Sequence, residues 1–260
     1  MNGNDARWPK ISVVTPSFNQ GQYIEATIKS VLDQGYPNLE YIIMDGGSTD
    51  ESVEIIERYS DHLAYWVSEP DGGQTDALIK GFNRATGNIM CWLCSDDLFE
   101  LGTLREVAET FVEHPDWQVV YGDSFWIDAD SRPLSFKREI PYHRFIWMYD
   151  HNYLPQPSTF WRRGIYERVG GLDLRWDLTM DADLWARFAE HTTLHHVPCA
   201  WSRMRYYPEQ KNTRLRARSD EEDILIRDRY IDDPLWQRRL KRVPAKGLRV
   251  ALKLARSAYW

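Results

Sequence analysis

The first half of the chain alternates short apolar runs with stretches of helical spacing. ISVVTP (11–16) is rich in β-branched residues and ends at a proline, as a short buried strand does. Behind it, YIEATIKSVLDQG places Ile24, Ile28, Val31 and Leu32 on one side of a helix, with Gly35 as the stop. The alternation then repeats. Strand LEYIIMD (39–45) leads to helix ESVEIIERY, strand LAYWVSE (63–69) to a helix through ALIKGFNRA, and strand NIMCWLC (88–94) to helix LREVAETFVEH and strand WQVVYGD (117–123). Strands alternating with helices through short loops predict an α/β, Rossmann-like fold, with a mostly parallel sheet covered on both faces. Ligands of such sheets bind beyond the C-terminal ends of the strands. Polar residues gather at those ends: Ser17 and Asn19, Asp45, Asp71, then Ser95, Asp96 and Asp97.

From Ser124 the pattern is less regular. QPSTFW (156–161) reads as a strand, a helix is expected around Gly164–Val169, and LHHVPCAW as a further strand. MDADLWARFAEH (180–191) reads as a helix with Leu184, Trp185 and Phe188 on one side. After Pro244, Leu248, Ala251, Leu252, Ala255 and Tyr259 fall on one helical face, and Lys246, Arg249, Lys253 and Arg256 on another. No repeat or low-complexity linker divides the chain. One domain over residues 1–212, with halves at about 10–123 and 124–212, and a C-terminal helical segment over 213–260 is the simplest division.

The net charge of −7 conceals an asymmetry. From Pro234 to Trp260 there are eight Lys or Arg and no acid, so the rest of the chain is strongly acidic. An acidic body argues against general nucleic-acid binding, which needs a basic footprint. Three cysteines do not make a disulfide framework, no stretch approaches the ~18 apolar residues of a membrane span, and the polar start MNGNDARWPK lacks a signal peptide's apolar run. A cytoplasmic protein is expected. Twelve Trp and fourteen Tyr suit sugar or base recognition, although core filling accounts for most of them.

CWLCSDDL (91–98) offers two chemistries. Cys91 and Cys94 have C-x-x-C spacing, but on a strand positions three apart point to opposite faces, and no further ligand pair completes a zinc site. Both are expected in the strand interior. Asp96 and Asp97 follow the strand's C-terminal end, where Mg²⁺ or Mn²⁺ could bridge them to a diphosphate. No G-x-x-x-x-G-K-[ST] loop is present, and no G-x-G-x-x-G follows the first strand.

TPSFNQ (15–20), IIMDGGSTD (42–50), SEPDGGQTDALIKGF (68–82), WLCSDDL (92–98), VYGD (120–123), QPSTFWRR (156–163) and GGLDLRWDLTMDADLW (170–185) occur in this order. Together they resemble the family 2 glycosyltransferases of GT-A fold, bacterial members with a W-L-N-S-D-D motif above all. The resemblance covers roughly residues 10–210. It implies an inverting transferase that moves a sugar from a nucleoside-diphosphate donor, most often a UDP-sugar, with Mg²⁺ or Mn²⁺, onto an acceptor hydroxyl in bacterial polysaccharide or glycolipid synthesis. Residues 10–123 would then be the nucleotide-sugar half and 124–212 the acceptor half. By the same resemblance Phe18 stacks on the base, with Thr15, Pro16 and Asn19 in its loop. Asp45 hydrogen-bonds the base and Asp71 lies beside it. Asp96 contacts ribose or sugar, Asp97 ligates the metal, and Asp181 is the general base. Asp183, two residues on, is expected to support the site or cap the helix.

The chain departs from the family pattern in three places. Cys94 stands where Asn or Asp is frequent, Met180 where Glu is frequent, and Tyr207 near a common His. The Arg205–Lys211 stretch is assigned to acceptor or diphosphate contact. Two other classes were weighed. A non-catalytic sugar-nucleotide or glycan-binding module of the same fold need keep neither Asp97 nor Asp181. A nucleotidyltransferase would want a basic Gly-rich loop after the first strand, which TPSFNQGQ is not. For the basic tail two readings stand level: peripheral contact with the inner face of the plasma membrane, suiting a lipid-linked acceptor, or packing on the acidic body or a second subunit.

Overall fold

Residues 8–256 are described by the structure, a computed structural model. Strand β1 (Ile11–Ser17) is buried at every position, so it reads as a continuous apolar run rather than an alternation. It lies between β2 (Leu39–Asp45) and β4 (Ile89–Trp92), both parallel to it, and β3 (Tyr65–Ser68) extends the sheet beyond β2. Helices α1 (Gly21–Leu32), α2 (Ser52–Arg58) and α3 (Gln74–Arg84) make the crossovers. The expected α/β architecture is the one this chain adopts.

Past β4 the sheet becomes mixed. Its order is β3-β2-β1-β4-β8-β6-β9-β5, where β8 is Thr159–Arg162, β6 Val119–Ile127, β9 Leu194–Arg205 and β5 Leu98–Phe99. β8 runs antiparallel to both β4 and β6, while β6 and β9 are parallel. The strand expected over 117–123 starts later and continues to Ile127, where β7 (Pro133–Lys137) pairs with it antiparallel. The sequence hid β7 because its residues are exposed or half-buried and show no apolar period. The strand expected over 88–94 stops at Trp92. The chain then turns, with the Asp97 N–H bonded to the Cys94 carbonyl.

Helix α4 (Thr103–Glu113) covers the sheet, α5 (Arg144–Tyr149) and α6 (Arg163–Arg168) are short, and α7 (Met180–His191) carries the second group of acids. Trp185 of α7 stacks on Trp92 of β4 at 5.7 Å between ring centroids, and Trp161 meets both edge-on. All three rings are buried. This cluster fixes the start of α7 against the end of β4, since Asp181 lies one turn before Trp185 and Asp96 just beyond Trp92.

The C-terminal segment comprises α8 (Lys211–Arg214), α9 (Arg216–Asp228) and α10 (Leu235–Ala255). α10 begins well before Pro244 and runs through it. The proline is exposed, so the carbonyl it leaves without an N–H partner can face water. Leu248 and Leu252 face the body as the sequence pattern requires, whereas Ala251 and Ala255 are exposed. Much of the basic face of Lys246, Arg249, Lys253 and Arg256 is engaged by the body, with Arg256 beside His196 at 3.2 Å. Arg249 pairs with Asp150 at 2.5 Å, and buried Lys253 with Glu139 at 2.9 Å. Tyr259 lies outside the described residues. No described helix is long and apolar enough to cross a membrane.

Candidate active site

The ends of β1 and β2 are clamped together. Asn19, at φ +51°, accepts the Thr49 N–H on its side-chain oxygen at 2.9 Å and donates its own N–H to the Ser48 hydroxyl at 2.7 Å. Phe18 between them stands 59% exposed, with its ring face open to a planar partner. Asp45 is buried. Its Oδ2 takes the Gly47 and Ser48 N–H groups and the Ser68 hydroxyl, and its Oδ1 takes the Ser48 hydroxyl. A carboxylate oxygen accepts about two hydrogen bonds, so Oδ1 keeps room for one more donor. Asp71 lies against the same loop. A Cβ on Gly46 would stand 3.0 Å from its Oδ2, so any larger residue there would press on the Asp71 carboxylate. Thr15 is in a different place from the one expected. It is fully buried and its hydroxyl shares a hydrogen bond with Tyr41 at 3.1 Å, so its side chain joins β1 to β2 instead of lining the site; Pro16 is buried beside it.

Beyond β4, the Cys94 sulfur and the carboxylates of Asp96 and Asp97 lie within 4.8 Å of one another. Cys91 is core, as expected, but Cys94 is not. It sits past the strand end, partly buried against the core, where Gln74 donates to its sulfur at 3.3 Å and the Gln156 side-chain oxygen lies 3.6 Å away. Asp96 accepts the Tyr207 hydroxyl at 3.0 Å. Asp97 accepts the Arg205 backbone N–H at 2.8 Å. Burial raises both carboxyls above the ordinary Asp range, and for Asp97 the neighbouring charge of Asp96 adds to it. Two crowded, desolvated carboxylates with hard oxygen donors suit Mg²⁺ or Mn²⁺, whose charge would relieve their repulsion, so the residues present fit the ion that the resemblance implies.

The Arg205–Lys211 stretch divides. The Arg205 guanidinium is buried and bonded to the carbonyls of Asp96, Asp128 and Ala129, which makes it a brace under the Asp96 turn. Lys211 is paired to Asp177 at 2.6 Å. Tyr207 and Gln210 are the residues of this stretch whose side chains meet the Asp96 carboxylate.

Asp181 opens α7. Its Oδ2 accepts the Asn152 side-chain N–H at 3.1 Å, and Asn152 is itself oriented by the Trp147 indole and the Leu154 N–H on its oxygen. Burial pushes the Asp181 carboxyl up to about 6, opposed by hydrogen bonds from the first turn of the helix and from Asn152. Asp183, expected to support the site or cap the helix, faces away from Asn152 and into two arginines. It is completely buried between Arg187 at 2.6 Å and Arg229 at 2.7 Å. The N-terminus of α7 is capped from outside: Glu222 of α9 accepts the N–H groups of Leu178 and Thr179. Burial raises the Cys94 thiol well above its ordinary range, with the charges of Asp97, Asp96 and Asp181 adding to it. Sequence reasoning missed Asn152, Gln74, Gln156 and Glu222. Of these only Gln74 and Gln156 carried a signal, since both lie inside the quoted motifs.

A sequence profile described as Glycosyl transferase family 2 matches residues 12–170. The PGL/p-HBAD biosynthesis glycosyltransferase of Mycobacterium bovis (strain BCG / Pasteur 1173P2) is 30% identical over 187 residues, covering 67% of this chain and 68% of that one. Among solved structures, S. aureus TarS 1-349 in complex with UDP-GlcNAc superposes with a TM-score of 0.67 at 17% identity, covering 90% of this chain and 70% of that one. Against a longer TarS chain the match spans 37% of that chain. The mannosyltransferase PcManGT from Pyrobaculum calidifontis in complex with GDP-Man and Mn²⁺ gives a TM-score of 0.64 at 17% identity, covering 95% and 76%. At these identities the two structural likenesses speak for the fold.

Proposed function

The chain belongs to glycosyl transferase family 2, and from that premise we propose that it is an inverting, metal-dependent transferase using a UDP-sugar donor. The observation that carries the reading is the Asp96–Asp97 pair just past the end of β4, which the stacking of Trp185 on Trp92 sets beside the start of α7, where Asp181 lies. Phe18 stacks on the base, and the free lone pair of Asp45 Oδ1 receives a base N–H, with Asp71 bracing the loop. Asp96, steered by Tyr207, contacts ribose or sugar. Mg²⁺ or Mn²⁺, held by Asp97 beside Asp96, would supply positive charge against the leaving diphosphate.

Asp181 accepts the proton of the acceptor hydroxyl as that oxygen bonds to C1 of the sugar. The C1–oxygen bond to the diphosphate breaks on the opposite side, so the anomeric centre inverts. A base pushed up to about 6 is ionised at neutral pH yet more basic than an ordinary carboxylate, which suits it to the task. The acceptor we assign is a glycan or lipid-linked glycan at the cytoplasmic face of a membrane. The test is a panel of UDP-sugars with Mn²⁺, read as UDP release and, for the productive donor, as the anomeric configuration of the product. Release from no UDP-sugar, or retained configuration, overturns the reading.

A further inference from the structure

The described part of the C-terminal segment closes with an amphipathic helix whose two faces are both apolar. The inner face of α10 carries Ala245, Leu248 and Leu252 against the body. The outer face carries Trp236, Leu240, Val243 and Leu254, which are 61%, 64%, 73% and 53% exposed. Their spacing of four, three and eleven residues keeps all four on one side of a helix. Arg239, Arg242 and Lys246 flank them and are exposed too. A monomer rarely leaves so long an apolar strip in water unless something covers it.

We propose that this outer face seats the protein on an anionic lipid bilayer, with α10 lying in the plane of the interface. Charge selects this occupant. α10 contains no acidic residue, so a second copy docked through the same face would set Arg239, Arg242 and Lys246 against their own counterparts. The rest of the chain is acidic enough to leave a net charge of −7, and an anionic surface would repel it. The basic flanks reverse that locally and orient the molecule. Trp236 supplies a ring that settles at headgroup depth, and the aliphatic residues reach the acyl boundary.

The surface lies close to the chemistry. Arg249 of α10 holds Asp150, two residues before Asn152, which hydrogen-bonds Asp181. A bilayer under α10 would therefore lie on the side of the molecule from which the base is oriented, where a lipid-linked acceptor would arrive. Only this purpose rests on the function proposed above; the docking itself does not.

The test is co-sedimentation of the whole chain with phosphatidylcholine vesicles, with and without phosphatidylglycerol. The wild type is expected to sediment with the anionic vesicles and to be released by salt. Trp236→Ser/Leu240→Ser/Val243→Ser should lower partitioning by about tenfold or more, and Arg239→Glu/Arg242→Glu/Lys246→Glu by about 100-fold. Both should keep the wild-type melting temperature and UDP binding, which separates loss of docking from loss of the fold or of the donor site. Since the two sets touch different side chains, a folding failure in one leaves the other as the test. The proposal is overturned if wild type stays in the supernatant with both vesicles. It is equally overturned if both variants sediment like wild type, or if the apolar set abolishes a concentration-dependent dimer while vesicles go unbound.

Discussion

Oε2 of Glu222 accepts both the backbone N–H of Thr179, at 3.2 Å, and its hydroxyl, at 3.0 Å. Thr179 immediately precedes α7, whose first turn carries Asp181, so a residue of α9 sets the helix end on which the proposed base sits. Glu222→Ala removes that cap and leaves buried N–H groups without a partner, at a cost of about 1–3 kcal/mol. The expected outcome is a lower melting temperature and a reduced kcat with UDP affinity unchanged, read by calorimetry and steady-state rates. A variant with wild-type kcat would separate the cap from the site.

Asp181→Asn should lower kcat by roughly 10²–10⁴-fold while UDP binding persists. Wild-type kcat should fall on the acid side with a midpoint near the value of about 6 to which burial lifts this carboxyl. The stability consequence has a definite sign. Between the ordinary Asp value of 3.8 and about 6 the folded chain binds the extra proton, so this carboxyl's contribution declines as pH rises through that window. The Asn variant escapes the loss. It should melt higher than wild type above pH ~6, by an amount worth on the order of 2 kcal/mol, and the gain should vanish toward pH ~4.

Asn152→Leu tests the orientation of the base. The Asn152 hydrogen bond lowers the Asp181 carboxyl against its burial, so its removal should move the acid limb of the rate profile to higher pH. An unmoved limb with a wild-type rate would show that the contact is incidental.

For Asp97→Asn two effects should oppose each other. Burial and the charge of Asp96 raise this carboxyl, so removing its charge should raise the melting temperature of the protein in EDTA at neutral pH. The further rise on adding Mn²⁺ and UDP, worth about 2.7 kcal/mol for wild type at a hundredfold excess over Kd, should be lost. Differential scanning fluorimetry reads both.

Phe18→Ala should weaken UDP binding by about 1–3 kcal/mol, the usual range for stacking a base on an aromatic ring. Because the ring is 59% exposed, its loss should leave the melting temperature of the free protein unchanged. Titration calorimetry with UDP and Mn²⁺ measures the first part, a thermal melt the second.

The parallel half of the fold was legible because β1, β2 and β4 are buried apolar runs and each crossover helix has one apolar side, so two periods alternate along the chain. β7 was not, since an exposed hairpin strand bears no such mark. Asp45, Asp71, Asp96 and Asp97 could be placed together because Asp45 closes β2 and the others stand in the loops that leave β3 and β4. Asp181 needed the family resemblance, since an Asp in the first turn of a helix is ordinary. Thr15 and Arg205 were read by motif, yet the direction of a side chain depends on packing. One faces Tyr41 inside the sheet, and the other turns under the Asp96 loop. Cys94 escaped the strand interior because β4 ends two residues earlier than the apolar run does.

The contacts that set α7 run backward along the chain. Glu222 holds the residues just before its first turn and Arg229 pairs with Asp183 inside it, yet both follow every strand of the sheet. A ribosome delivers the loops proposed to hold the donor first and these two side chains later. During synthesis the nascent chain therefore acquires the means to hold a nucleotide before it can fix the residue that would activate an acceptor. A premature stop between Arg205 and Glu222 would release a chain with every strand present and its base unmoored.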